Sequence, residues 1–288
     1  MRQRSFSKRA LRRFMPGEDV ESALSAARDL ATRGISTVLT QLGEDIRDRA
    51  EAAAVTDHYL HLLEVIADRG LPSHLSVKPT QFGLSLDVSF CADQLARLAE
   101  SAARHGNTLW VDMEAVPQLE PTLSLYARLR PAYPNLALCI QSYLRRCGTD
   151  LRDLLALGAQ IRLVKGAYAE PPAVAYPDKG DVDRAYLDLA KQLVDDAAAR
   201  GIRHGIATHD LSMIDAVQRY AASIAADKKP VEYQMLYGIR REAQERLVAE
   251  GCAVRVLVSY GSAWFKWYMR RLAERPANLW FVARSMLG

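Results

Sequence analysis

The chain has 288 residues, of which 49% are hydrophobic and 25% charged, and its formal net charge is +4. These fractions are typical of a soluble globular protein and exclude a disordered one, and the charge is too small to indicate nucleic-acid binding by itself. Four cysteines without metal-binding spacing predict reduced thiols in a cytosolic protein. No apolar run reaches the ~20 residues of a membrane span. We therefore expect a cytoplasmic protein with at most peripheral contact with the inner face of a membrane.

The first seventeen residues carry six basic side chains and no acid. Such an arm is able to touch anionic lipid or RNA, but a frayed terminus explains it as well. It has no continuous apolar core of the kind that a secretory signal needs. A helical pattern follows, with acids in its first turn and Gly34 at its end. Residues 1–34 are therefore predicted to form an arm and one helix.

Eight short apolar runs alternate with amphipathic helical patterns through the rest of the chain. The runs are Ile35–Leu39, His74–Lys78, Thr108–Met113, Ala137–Gln141, Ile161–Lys165, Gly205–Thr208, Val231–Leu236 and Val254–Val258. Strands separated by helices indicate βαβ units and a parallel sheet, and eight such units in a chain of this length favour a (β/α)8 barrel. Residues 35–288 are predicted to form this barrel as one catalytic domain.

Charged and polar residues follow the predicted strands at their carboxyl ends, where barrel enzymes place their catalytic groups. They are Glu44, Lys78, Asp112, Glu114, Gln141, Arg145, Lys165, His209, Asp210 and Gln234. A last helix, predicted over Tyr260–Pro276, adds the adjacent pair Arg270 and Arg271. A guanidinium group matches a carboxylate with two parallel hydrogen bonds. The excess of cations at this face favours an anionic ligand.

Other chemistries remain open at this point. Asp112 and Glu114 are two residues apart, so on a strand they would face the same way and could share a cation. Lys78 or Lys165 would serve a Schiff-base aldolase if either amine were buried and neutral. The chain contains no GxG, which excludes a Rossmann-type dinucleotide clamp.

Two stretches resemble the signatures of proline dehydrogenases: Arg162–Tyr168 (RLVKGAY) and Tyr268–Asn278 (YMRRLAERPAN). Shorter matches occur in chain order at Leu42–Glu44, Ser76–Lys78, Val111–Glu114, Gln141–Tyr143, Ala207–Asp210 and Glu232–Gly238. The likeness covers nearly the whole chain and is closest to the monofunctional bacterial branch of the family.

This resemblance implies a flavoenzyme that binds FAD across the barrel mouth, oxidises L-proline to Δ1-pyrroline-5-carboxylate and passes electrons to a quinone. It implies that Arg270 and Arg271 bind the substrate carboxylate and that Glu44 forms an ionic gate with Arg270. The implied substrate pocket is completed by Lys78, Asp112, Leu236, Leu257, Tyr260 and Tyr268. The implied FAD-binding residues are Gln141, Arg162, Lys165, Gly166, Ala167, Tyr168, Thr208, His209, Asp210 and Gln234. Catalysis is expected to depend on Lys78, Asp112, Arg270 and Arg271, with no metal.

One departure from the family pattern affects the substrate. The family usually carries Tyr-x-Pro-Tyr-Gly after the eighth strand, whereas this chain has Leu257 and Ser259 at the tyrosine and proline positions. The usual tyrosine packs beside the substrate ring and bonds the aspartate matching Asp112, which a leucine does not do. We therefore hypothesise that ring preference has moved towards hydroxyproline or another cyclic imino acid.

Two rival functions also fit a flavin-binding barrel. One is an enzyme like methylenetetrahydrofolate reductase, which would need a folate site in place of the arginine pair. The other is a barrel that binds flavin without catalysis. The oligomeric state does not follow from the sequence, because helical barrel exteriors easily hide a dimer interface.

Overall fold

The computed structural model describes residues 14–43, 46–224 and 230–264. Eight parallel strands form a closed barrel in chain order, and β1 pairs with β8 to complete it. This confirms the predicted (β/α)8 architecture. The strands are β1 (Ser36–Gln41), β2 (Ser73–Val77), β3 (Leu109–Val111), β4 (Leu136–Gln141), β5 (Gln160–Val164), β6 (Gly205–Ala207), β7 (Glu232–Leu236) and β8 (Ala253–Tyr260).

Helices precede β1 and connect each later pair of strands. They are α1 (Val20–Ala31), α2 (Arg49–Asp68), α3 (Val88–Arg104), α4 (Val116–Leu129), α5 (Cys147–Ala156), α6 (Lys179–Arg200), α7 (Leu211–Ser223) and α8 (Arg241–Ala249), with a 3-10 turn at Pro79–Phe82. The first residues of four helices follow an aspartate whose side chain accepts a backbone N–H of the first turn: Asp19, Asp48, Asp87 and Asp210. Such caps satisfy donors that the helix itself leaves unpaired, which explains where these helices begin.

The apolar core lies mainly between the strands and the surrounding helices, where most of the buried leucine, isoleucine and valine side chains are found. The barrel interior is different. A small apolar cluster of Val38, Trp110, Ala137 and Leu257 occupies its middle. Several of the other inward-facing side chains are polar or charged, so the two faces of the strands have contrasting chemistry. All four cysteines are buried free thiols.

The eighth strand is longer than predicted. Its apolar run suggested an end at Val258 and a helix from Tyr260, but β8 continues through Tyr260. Successive strand residues face opposite sides of a sheet. Since Arg255, Leu257 and Ser259 face the interior, Tyr260 faces the helical layer, and its hydroxyl lies 2.6 Å from Nε2 of His58 on α2.

Some predicted features lie outside the described residues. These are the first thirteen residues of the basic arm, Glu44, Tyr268, Arg270, Arg271 and most of the predicted last helix. Helix α1 packs against β1 and β8, and the proposed division of the chain at residue 34 stays a prediction. Among the helices that the structure describes, none is long and apolar enough to cross a membrane.

Candidate functional site

A cavity of about 540 Å³ opens at the carboxyl ends of the strands, the end at which barrel enzymes carry their active sites. Its wall includes every implied site residue that the structure describes, except Tyr260. Those residues are Lys78, Asp112, Gln141, Arg162, Lys165, Gly166, Ala167, Tyr168, Thr208, His209, Asp210, Gln234, Leu236 and Leu257. Residues from many separate strands therefore converge on one cavity.

Arg162 projects from β5 into the barrel interior and is only 3% exposed. Its Nη1 donates to Asp112 Oδ1 at 2.8 Å and to Ser76 Oγ at 2.9 Å, and its Nε donates to Gln234 Oε1 at 2.6 Å. The guanidinium also lies over the Trp110 ring, 4.5 Å from its centroid. Its Nη2 is buried without a hydrogen-bond partner. A buried cation with an unused donor at a cavity wall is prepared to meet an acceptor on a ligand.

Lys165 follows Arg162 on the same side of the cavity and is ion-paired. Its Nζ lies 2.5 Å from Asp183 and 3.3 Å from Asp210, and Lys179 also pairs with Asp183. Burial raises the pKa of Asp183, but hydrogen bonds from Lys165 and Lys179 outweigh it and leave that pKa lowered. Burial likewise opposes the hydrogen bonds from Ser212 and Lys165 that lower the pKa of Asp210. An ion-paired lysine does not match the neutral amine in apolar surroundings that a Schiff-base aldolase requires.

Asp112 and Glu114 do not share a ligand position. Strand β3 ends at Val111, so the strict alternation that would have aligned them stops before both residues. Glu114 instead accepts hydrogen bonds from the backbone N–H and hydroxyl of Thr80, at 3.0 and 2.7 Å. Burial raises the pKa of Glu114 against these two bonds. The described geometry therefore gives no support to a cation shared by Asp112 and Glu114.

Gln141 ends β4 with its amide group partly used. Its Nε2 donates to the backbone oxygen of Glu114 at 2.8 Å, while its Oε1 is buried without a partner. The side chain is 3% exposed and lies in the cavity wall. Gln141 thus carries an unpaired buried acceptor in the cavity wall, where Arg162 carries an unpaired buried donor and Thr40 an unpaired buried hydroxyl.

The loop after β6 is tied to the end of β7. His209 Nε2 accepts a hydrogen bond from the backbone N–H of Leu236 at 2.9 Å, which places the ring proton of a neutral imidazole on Nδ1. Asp210 caps α7, and its own N–H donates to Thr208 Oγ1. These bonds position Thr208, His209 and Asp210 along one edge of the cavity.

Gly166 has a structural requirement of its own. Its φ is +121°, and a Cβ added there would lie 2.3 Å from the Tyr143 ring. The glycine therefore lets the strand turn tightly over Tyr143 and carry Ala167 and Tyr168 to the cavity rim. The implied contact of Gly166 with a cofactor stays a prediction.

Leu257 lies on the cavity wall as its motif position implied, with Thr40 of the neighbouring strand. Ser259 pairs with Thr40 in the register of β1 and β8, and its Oγ is buried without a partner. Tyr260 is placed on the outer face of β8, so the described geometry gives no support to its expected contact with the substrate.

Several residues at the site were not predicted from the sequence. Ser76 joins Asp112 to Arg162, Trp110 lies against the Arg162 guanidinium, and Met113, Cys139 and Lys179 are among the further residues of the cavity wall. The alternation of strand residues was the available signal for Ser76 and Trp110. Both occupy inward-facing positions near the carboxyl ends of β2 and β3, shortly before the predicted site residues Lys78 and Asp112.

Comparison with known proteins identifies the family. A family model described as proline dehydrogenase matches residues 23–284. Proline dehydrogenase 2 of Bacillus subtilis is 35% identical over 280 residues, covering 97% of this chain and 91% of the relative. Proline dehydrogenase of Deinococcus radiodurans is 37% identical over 280 residues, covering 96% of this chain and 89% of the relative.

A solved structure agrees on the fold. Proline utilization A (PutA) of Bdellovibrio bacteriovorus, inactivated by N-propargylglycine, superposes with a TM-score of 0.83 and 23% identity. The alignment covers 91% of this chain and 32% of that longer chain. The sequence matches extend along nearly the full length of both partners and agree with a cavity lined by the predicted motifs. The chain therefore belongs to the proline dehydrogenase family and is an oxidoreductase.

Proposed function

We propose that this protein catalyses the FAD-dependent oxidation of L-proline to Δ1-pyrroline-5-carboxylate and passes the electrons to a quinone. The observation that carries the proposal is the Arg162 guanidinium, buried in the cavity wall with Nη2 unpartnered. Family membership supports the substrate, and the resemblance of the motifs supports the cofactor.

The residues of the cavity fit a flavin. The isoalloxazine ring has both hydrogen-bond donors and acceptors on its polar edge, and residues of the cavity wall carry unpaired buried groups of both kinds. These are Nη2 of Arg162 as donor, Oε1 of Gln141 as acceptor and Oγ1 of Thr40, which can be either. Arg162 and Gln141 are residues that the family motifs assign to the cofactor.

The proposed chemistry is a hydride transfer. Bound FAD would supply the acceptor for a hydride from the ring carbon beside the substrate nitrogen. Arg162 would hold a fixed positive charge towards the cofactor and so favour its negatively charged reduced form. Arg270 and Arg271, outside the described residues, would hold the substrate carboxylate, and Glu44 would pair with Arg270.

Lys78 and Asp112 are proposed to shape the substrate side of the cavity. Asp112 is held by Ser76 and Arg162 at 2.9 and 2.8 Å, so its carboxylate has a fixed direction. Positioned groups of this kind orient the substrate for transfer without solvent reorganisation. The substrate nitrogen must be neutral to release hydride, so turnover is expected to rise with pH.

The first experiment is an anaerobic absorbance titration of purified protein, reconstituted with FAD, using L-proline. Bleaching of the flavin bands by proline supports the proposal. A protein that binds no FAD would overturn the flavoenzyme proposal, and bound flavin that no imino acid bleaches would support a non-catalytic flavin-binding barrel.

A second candidate is the same oxidation of another cyclic imino acid, such as hydroxyproline. It is favoured by Leu257, which lies in the cavity wall where the family usually has tyrosine, and by the unpartnered Oγ of Ser259 two residues further along the same inner face. Loss of a hydrogen bond to a charged partner is worth about 1.5–3 kcal/mol.

Its test is the same titration with trans-4-hydroxy-L-proline, beside the variant Leu257→Tyr. If Leu257 sets the preference, the variant should favour proline by about tenfold more than the parent protein does. A parent protein already selective for proline, with no gain in the variant, would contradict the second candidate.

The quinone and the membrane are proposed on the resemblance alone. An electron acceptor dissolved in the bilayer requires at least peripheral contact with the membrane. Co-sedimentation of the reduced and oxidised protein with anionic vesicles tests this contact, and quinone-dependent turnover in the same vesicles tests the acceptor. Turnover with soluble acceptors only would contradict this part of the proposal.

A further inference from the structure

A continuous chain of hydrogen bonds extends below the cavity through the barrel interior. It begins at Asp112 and Arg162, passes through the side-chain amide of Gln234, and reaches Glu232 and Arg255 near the opposite end. Glu232 and Arg255 are each 7% exposed. Neither touches the cavity, so the proposed chemistry gives them no direct role.

The direction of the Gln234 amide is determined by its two neighbours. Gln234 Nε2 donates to Glu232 Oε1 at 2.8 Å, and Gln234 Oε1 accepts from Arg162 Nε at 2.6 Å. An ionised carboxylate only accepts hydrogen bonds, and a guanidinium only donates them. If the amide were turned over, an oxygen would face the carboxylate and an NH₂ group would face the guanidinium. Glu232 therefore keeps the amide in the one orientation that offers Arg162 an acceptor.

Glu232 is itself anchored from below. Arg255 Nε donates to the same Oε1 atom at 2.8 Å, and Arg255 Nη1 donates to the backbone oxygen of Thr37 at 2.8 Å. Arg255, which lies on β8, thus connects Glu232 to the backbone of β1 across the pairing of β1 and β8 that closes the barrel. The carboxylate cannot swing away from Gln234 without breaking the bond to Arg255.

Arg162 is aligned by these contacts. Its Nη1 bonds to Ser76 and Asp112 fix one side of the guanidinium, and its Nε bond to Gln234 fixes the adjacent side. With these sides held, Nη2 is left as the unused edge. Without the Nε bond, the group would be free to rotate about its remaining contacts.

We propose that Glu232 is a positioning residue that aims the Arg162 guanidinium through the amide of Gln234. Its effect on turnover rests on the proposed function, in which Arg162 faces the cofactor. Its effect on the geometry of Arg162 does not, and the two are measured separately.

The matched test compares two double variants, Glu232→Met/Arg255→Met and Glu232→Gln/Arg255→Met. Removing Arg255 in both avoids an unpaired buried cation, and replacing a buried ion pair by apolar residues of similar volume is generally tolerated. The two variants have the same charge and nearly the same volume. They differ in whether position 232 still offers Gln234 an oxygen acceptor.

The direct readout is hydrogen exchange at Nε of Arg162, followed by NMR of protein labelled with ¹⁵N-arginine and assigned with Arg162→Lys. A buried, hydrogen-bonded N–H exchanges slowly. We expect slow exchange in the parent and the glutamine variant, and exchange at least about tenfold faster in the methionine variant. Equal exchange in the two variants would overturn the proposal, because a purely structural pair affects both alike.

Turnover of L-proline by the same FAD-loaded variants tests the role of Arg162 in catalysis, whereas hydrogen exchange tests only how Arg162 is positioned. We expect kcat to fall in the methionine variant relative to the glutamine variant. Faster exchange without that fall would uphold the positioning of Arg162 and overturn its part in turnover. If the methionine variant does not fold, Glu232→Leu/Arg255→Met, which also lacks an oxygen acceptor at position 232, replaces it in the same exchange comparison.

Discussion

The barrel contains two arginine–carboxylate pairs, one near each end, that differ in their surroundings. Arg162 and Asp112, at the cavity end, are joined at 2.8 Å, as are Arg255 and Glu232 at the opposite end. Nη2 of Arg162 is buried without a partner, whereas no nitrogen of Arg255 is in that condition. Buried polar groups in native structures are usually paired, so an unpaired buried donor in a cavity wall is a candidate ligand contact. We therefore expect the upper pair to act mainly on the chemistry and the lower pair mainly on stability.

The surroundings of the two pairs agree with this division. The upper pair faces the 540 Å³ cavity at the carboxyl ends of the strands. The lower pair adjoins a separate cavity of about 400 Å³ at the amino ends, lined by Arg255 and His74 among others. In barrels of this kind the amino-terminal end contributes mainly to stability. Substitutions at the two ends should therefore affect different measurements.

The largest expected effect is on stability, at the lower pair. Arg255→Met leaves Glu232 buried without its cation, and breaking such a pair typically costs about 3–5 kcal/mol. Urea unfolding should show this loss in the free energy of unfolding. Turnover per folded molecule should fall less than in a variant of Arg162, because Arg255 acts on that residue only through Glu232 and Gln234. A loss of turnover as large as that of an Arg162 variant would contradict the difference between the two ends.

The next effect is on activity, at the upper pair. Arg162→Met removes a preorganised cation from the cavity, and loss of one such stabilising group typically lowers kcat on the order of 100- to 1000-fold. Steady-state kinetics with L-proline measure the change, and the smaller fall expected in Arg255→Met is the comparison. Near-parental kcat in Arg162→Met would show that the unpartnered donor is not part of the chemistry.

A pH dependence should appear at the lower end. His74 accepts a hydrogen bond from Trp110 Nε1 through Nδ1 at 3.2 Å. Burial, with Arg255 and Arg162 nearby, lowers the pKa of His74 to about 2. In the unfolded chain the pKa of His74 is about 6.5. Below that pH the unfolded chain therefore binds a proton at His74 that the folded chain does not bind. His74 therefore favours folding above pH 6.5, and this contribution is lost as pH falls.

The variant His74→Gln isolates that contribution, because its amide oxygen can still accept from Trp110. Relative to the variant, the parent should lose roughly 2 kcal/mol of unfolding free energy between pH 7.5 and pH 5. Urea unfolding of both proteins at the two pH values measures it. A stability difference that does not change with pH would mean that His74 is already protonated or solvated in the folded state.

The smallest expected effect is at Ser76, whose hydroxyl bridges the upper pair. Ser76→Ala removes the bonds to Asp112 and Arg162 but leaves their direct contact at 2.8 Å. A typical hydrogen bond contributes about 1 kcal/mol net, so kcat should fall by roughly fivefold. Ser73→Ala is the matched control, because the Ser73 hydroxyl bonds Thr37 on the other face of the same strand. An equal loss of kcat in both variants would argue for a general effect on β2.

Strand ends were the most informative feature of the sequence. Apolar runs and helical periodicity are local properties, so they were sufficient to predict eight βα units and a barrel. The polar residues that follow the runs, such as Lys78, Lys165 and His209, then had to converge, because parallel strands bring their carboxyl ends to the same edge. Tyr260 shows the limit of this local signal. Because the predicted β8 ended at Val258, the alternation of strand residues was not extended to Tyr260, and its position on the outer face was missed.

Short-range periodicity and strand direction determined the barrel, the end at which the cavity lies and part of the cavity wall. The other predicted wall residues came only from the resemblance to the family: Arg162, Gly166, Ala167, Tyr168, Thr208, Leu236 and Leu257. Only the tertiary structure decided which polar groups bond to one another. Arg162 and Gln234 are 72 residues apart, and Arg255 and the backbone of Thr37 are 218 apart. Such pairings depend on the register between strands and on how deep each side chain sits in the barrel. No local pattern encodes these quantities, so the unpaired buried donor of Arg162 became visible only in the folded chain.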